Sequence, residues 1–115
     1  MSLRMLRAYL MSCAQRGLKV AGYGAGSGVP PLLTLAGITG ADMLAVADAS
    51  SGKQGRALPV SRVPVISPGE LEALAPDRVL IFVPGLLDEV RRAMPAIESR
   101  GGRWVILDPA PVEVT

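Results

Sequence analysis

The chemistry available to this chain is concentrated in a few places. Gly22-Tyr23-Gly24-Ala25-Gly26-Ser27-Gly28 puts four glycines into seven residues directly after an apolar run. Such a loop turns tightly and lets backbone amides approach a ligand, and an anion suits those amides. Asp48 follows about twenty residues after the last glycine, where an acid could accept hydrogen bonds from a ribose. Lys53 and Arg56 lie just beyond it and could neutralise a phosphate. Pro84-Gly85 closes another apolar run and completes the candidate ligand-binding set.

What is missing narrows the chemistry further. The 115 residues contain no His and one Cys, Cys13. Histidine bases, Ser-His and Cys-His nucleophile pairs, disulfides and CxxC redox chemistry are therefore excluded, and no metal site is expected. Acid–base work would fall to Tyr23, Asp48, Lys53 or another carboxylate, and no catalytic residue can be assigned. Net charge is +2, and ten of the twelve cations are scattered arginines with only four aromatic residues among them. That is no nucleic-acid footprint. No apolar run reaches the ~18 residues of a membrane span. A lone cysteine and the lack of a visible leader make the cytoplasm the expected compartment.

The elements that must position these residues can be read from periodicity. Half of the residues are apolar and 19% charged, a globular balance. Residues 3–16 place Leu3, Leu6, Leu10 and Cys13 at helical spacing, and Gly17 stops that helix. The run 18–23 reads as a first buried strand, and Val29–Ala36 as a helix with Pro30 and Pro31 in its first turn. Met43–Ala47 is a second strand carrying Asp48 at its carboxyl end, and residues 49–62 read as loop. Val63–Val65 is a short third strand. Ser67, Pro68 and Glu70 form a helix-start signature. Residues 78–83 are a fourth strand, Leu87–Arg100 a helix that Pro95 should kink, and Arg103–Leu107 a fifth strand.

Strands separated by helices predict an α/β fold. The expected form is a Rossmann-like open parallel sheet of about five strands, order 3-2-1-4-5, with helices on both faces. The expected layout is a single domain over 1–115: a leading helix at 1–17, a βα core at 18–108 and a tail at 109–115. Ligands of such sheets bind beyond the carboxyl ends of the strands, where strand order reverses. Here that is the crevice between the first and fourth strands, where the glycine loop and Pro84-Gly85 meet.

Several words then fall in order along the chain. They are Gly22-Tyr23-Gly24-Ala25, Leu32-Leu33, Gly37-Ile38, Asp48, Lys53-Gln54-Gly55-Arg56, Leu58-Pro59, Val63-Pro64-Val65, Ser67-Pro68, Pro76-Asp77 and Gly101-Gly102. Together they resemble the C-terminal domain of SAM-dependent sugar C-methyltransferases, across residues 3–110. Lys-Gln-Gly-Arg followed by Leu-Pro is the most specific of them. The resemblance implies a Rossmann-like domain that helps frame a nucleoside-diphosphate sugar. It also implies that the methyl donor and catalytic bases belong to other parts of the enzyme, with a SAM domain as partner. Two departures fall at the crevice. The family's Lys-Gly after the glycine word is Gly28-Val29 here, and its Pro-Trp-Asn is Pro84-Gly85-Leu86. The expected function is a nucleotide- or sugar-nucleotide-binding module, not catalytic alone. The alternatives are a free-standing NAD(P)-binding sensor or small reductase, and a non-binding module that associates as a homodimer.

Overall fold

The computed structural model describes residues 2–107 and 110–115. Helix α1 (Leu3–Gln15) starts at Ser2, whose hydroxyl accepts the Met5 amide. It ends where Gly17 adopts φ +69° and the Leu18 amide turns back to the Cys13 carbonyl at 2.9 Å. That closure places the left-handed residue where only glycine fits without strain. It also consumes Leu18, so strand β1 is Val20–Tyr23 and starts later than the apolar run suggests.

After β1 come α2 (Val29–Leu35), β2 (Val46–Ala47), β3 (Val65–Ile66) and α3 (Pro68–Leu74). The expected capping box is present: the Ser67 hydroxyl accepts the Glu70 amide, and the Glu70 carboxylate accepts the Ser67 amide. Strand β4 (Arg78–Ile81) leads through a 3-10 turn (Pro84–Leu86) into α4 (Leu87–Ala93) and α5 (Pro95–Ser99). One helix was expected over 87–100. Proline lacks the amide needed to continue it, and Met94 leaves helical geometry at φ −130°, ψ 64°. The result is two short helices.

Strands β5 (Arg103–Leu107) and β6 (Pro111–Glu113) complete one six-stranded sheet of order β3-β2-β1-β4-β5-β6. The first five strands are parallel in the expected order. The expected C-terminal tail is instead an antiparallel sixth strand on β5. The boundary drawn at 108–109 lies outside the described residues. The third strand is also displaced, to Val65–Ile66. Residues 57–64 close on themselves as a small hairpin with an Ala57–Pro64 bridge, taking Val63 out of the sheet.

Side chains alternate between the two faces, as a parallel sheet covered on both sides requires. Val20, Val46, Leu80 and Val105 pack with Leu6, Leu10 and Cys13 of α1 and Val29 and Leu33 of α2. Ala21, Tyr23, Ala47, Val79, Ile81 and Trp104 pack with Leu71 of α3, Val90 of α4 and Ile97 of α5. Burying each large aliphatic side chain contributes about 1.5–3 kcal/mol. The N-terminal margin of the sheet is tied by polar contacts instead. The Glu113 carboxylate accepts the Tyr9 hydroxyl and the Arg78 Nε, each at 2.8 Å. The Arg78 hydrogen bond, partly opposed by burial, holds Glu113 below the usual carboxylate range. Burial, and then the bond to Glu113, pushes Tyr9 upward. No helix among the described residues is long and apolar enough to cross a membrane.

Candidate functional site

Strands β1 and β4 are adjacent, paired from Val20–Arg78 to Tyr23–Ile81. Chain order reverses between them, so the rim above this pair is the switch point. The glycine loop leaves β1 there. Gly22 is still in the strand, and it must be glycine because a Cβ there would lie 2.6 Å from the Phe82 ring and 3.2 Å from the Met43 sulfur. Gly24 has φ +98°, and its amide donates to the Ala47 carbonyl at 2.8 Å. A side chain there would be strained and would press on Val83.

Asp48 stands at the end of β2, as expected, and serves the loop. Its Oδ2 accepts the Ala25 amide at 2.8 Å and its Oδ1 accepts the Ser50 amide at 2.8 Å. Its backbone carbonyl accepts the Gln54 amide group at 2.7 Å. One amide of the glycine loop is therefore already matched to a carboxylate of the chain itself. A carboxylate oxygen has two lone pairs, so each retains a further acceptor site. The Lys53 Nζ is 4.0 Å from Asp48 Oδ2 and half exposed.

The loop amides of Gly26, Ser27 and Gly28 make no hydrogen bond among the described residues. The next helix offers few more, because Pro30 and Pro31 have no amide hydrogen. The loop divides two cavities. The larger, about 430 Å³, lies between Gly26, Gly28, Val29 and Leu32 on one side and Phe82, Val83 and Pro84 on the other. The smaller, about 210 Å³, is lined by Tyr23, Gly24, Asp48, Lys53 and Leu86 among others. The first is an apolar slot and the second carries the charge. The pair suits a ligand with an anionic part near Lys53 and the free amides, and a less polar part in the slot.

The structure thus brings together Gly22, Tyr23, Gly24, Ala25, Gly26, Ser27, Gly28, Asp48, Lys53 and Pro84 around one rim. Of the expected set, Ser27, Arg56 and Gly85 are exposed and Gly22 and Ala25 buried, and none of these five lines either cavity. The apolar wall residues Val29, Leu32, Phe82 and Val83 were absent from the sequence-based set. Their signal was positional: they are the last residues of one strand run and the first turn of the helix after the loop. Tyr23 is 8% exposed and meets Trp104 edge-on at 6.4 Å between ring centres. Burial, then the Asp48 and Glu89 charges, pushes its hydroxyl pKa up, so the phenol stays protonated as a donor. Among the described residues there is no cluster of ligating side chains for a metal.

Comparison with known proteins agrees with this architecture. Residues 2–109 match the C-methyltransferase C-terminal domain family. C-methyltransferase NovU of Streptomyces niveus is 29% identical over 110 residues, which are 92% of this chain and 25% of NovU. The chain thus spans about a quarter of the length of that relative. UDP-D-quinovosamine 4-dehydrogenase from Vibrio fischeri superimposes with a TM-score of 0.58 at 20% identity, covering 85% of this chain and 93% of the other. At that identity the likeness concerns the fold alone.

Proposed function

Because the chain belongs to the C-methyltransferase C-terminal domain family, we propose that it holds a nucleoside-diphosphate sugar and leaves methyl transfer to other parts of a larger enzyme. The observation that carries this reading is a loop with three unengaged amides, Gly26 to Gly28, of which Gly26 lines the cleft beside Lys53 and Gly26 and Gly28 line the apolar slot. The diphosphate would meet those amides and the ammonium, where charge-assisted hydrogen bonds are strongest. The apolar slot between Val29 and Val83 would take the base or the deoxygenated edge of the sugar. Asp48 fixes the loop in this reading, through the Ala25 amide.

Catalysis is assigned elsewhere for a chemical reason. Removing a proton next to a carbonyl needs a base poised near neutral pH. The rim offers a protonated phenol, Tyr23, a carboxylate, Asp48, that already accepts two backbone amides, and the Lys53 ammonium 4.0 Å from that carboxylate. The test is an amide-resolved NMR titration with UDP, dTDP, a dTDP-deoxysugar, NAD, NADP and SAM. The reading expects the diphosphate sugars to perturb Gly26–Gly28 and Val83, and Lys53→Ala to weaken that effect. Perturbation by dinucleotides alone would replace it with a dinucleotide-binding module. Silence from every nucleotide would leave an interaction module.

A further inference from the structure

On the sheet face opposite α1 and α2, a groove of about 600 Å³ runs between α3 and α4. Leu86, Val90 and Met94 supply apolar wall, and Gly69 of α3 lines the groove as well. Glu72 and Glu89 line it too, and among the described residues neither carboxylate is ion-paired. Tyr23 lines the same groove. The residue is more than nine-tenths buried, and its hydroxyl, still within reach of solvent, has no hydrogen-bond partner among the described residues.

We propose that this groove is a binding site for a small organic cation, an ammonium group carried on a compact apolar body. Its carboxylates would take the ammonium, and Tyr23 would donate to a hydroxyl or carbonyl of the same molecule. The apolar walls would cover the apolar body of the molecule while the half-buried Glu72 and the exposed Glu89 face its charge. The proposal does not depend on the sugar-nucleotide reading, because it uses a different cavity and opposite charge. The two cavities touch only through Tyr23, Ala49 and Leu86.

The test uses the 115-residue chain with cyclohexylammonium and its neutral counterpart cyclohexanol, each titrated by amide-resolved NMR. The expected result is saturable perturbation of Gly69, Val90 and Met94 by the ammonium, with about tenfold preference over the alcohol. Glu72→Gln with Glu89→Gln should cut that preference to about twofold or less. Gly69→Leu should abolish binding by filling the groove. A Cβ on Gly69 meets only the Ser67 hydroxyl, at 3.9 Å, so this variant keeps its fold, which circular dichroism checks. Equal binding of both probes, perturbation confined to residues outside the groove, or no perturbation would each overturn the proposal.

Discussion

Gly22 and Phe82 are fitted to each other across the switch point: the ring edge occupies the space that a Cβ on Gly22 would need, at 2.6 Å. Phe82 in turn lines the apolar slot. The shape of the slot therefore depends on a residue without a side chain in the neighbouring strand. Gly22→Ala should destabilise the chain by about 1–3 kcal/mol through overpacking. Gly22→Ala with Phe82→Leu should recover about half of that. Urea unfolding of the two variants checks both values.

Asp48→Asn keeps the size of the side chain but turns an amide group toward one of two backbone donors. Stability should fall by about 1–3 kcal/mol, as one N–H loses its acceptor. Hydrogen exchange should accelerate at Ala25 or Ser50, the two amides Asp48 now accepts. Unchanged exchange at both would contradict the assigned bonds.

Gly24→Val sets a β-branched residue at φ +98°, against Val83. The strain should cost about 1–3 kcal/mol. It should also move the three free amides, so any nucleotide perturbation of Gly26–Gly28 should disappear. A variant that binds as the parent does would remove the loop from the site.

Val60 offers a test of opposite sign. It is 76% exposed, β-branched, and held at φ 65°. Val60→Gly should stabilise the chain by about 1 kcal/mol, since relief of backbone strain exceeds the added entropy of the unfolded glycine. A thermal melt that shifts downward would show that the hairpin tip is unstrained.

The Tyr9–Glu113–Arg78 cluster predicts the response to acid. Glu113 has a folded-state pKa below its unfolded value. The unfolded chain therefore takes up the proton first as pH falls, and stability declines. The contribution is present above the unfolded carboxylate range and is lost as pH drops through the folded value. Asp42 is also lowered: burial pushes it up, but hydrogen bonds from Arg7 and Thr39 and the Arg7 charge together outweigh that. It acts in the same direction. Glu113→Gln should flatten the decline, leaving the share from Asp42. Urea midpoints measured between pH 3 and 7 test this, and identical slopes in parent and variant would exclude the cluster as a cause.

Much of the fold is legible because strands of a parallel sheet covered on both faces stand out as short apolar runs. Val79, Leu80 and Ile81 must face alternate sides, and Ser67-Pro68-Gly69-Glu70 can hardly start anything but a helix. The misreadings share a physical origin. The tail expected at 109–115 holds a strand that begins at Pro111, since a proline is tolerated at a sheet margin where its missing amide is not needed. Its strand is also tied by Glu113 to Tyr9 and Arg78, 104 and 35 residues away, a relationship no local pattern carries. The rim was anticipated from the glycines and Asp48. The partner of Asp48 was not, because a carboxylate that awaits ribose and one that caps its own loop look alike in sequence. Arg56 lines neither cavity although it is three residues from Lys53, because adjacency in sequence says nothing about which way a turn sends the chain.

Both outer strands of the sheet are short and carry a proline at or just before their start. On one side β3 has only Val65 and Ile66, preceded by Pro64; on the other, β6 begins at Pro111. Neither margin offers a long row of open backbone donors and acceptors to another polypeptide. A domain built this way can sit beside other folded units of a long chain, at high local concentration, without seeding cross-β polymers.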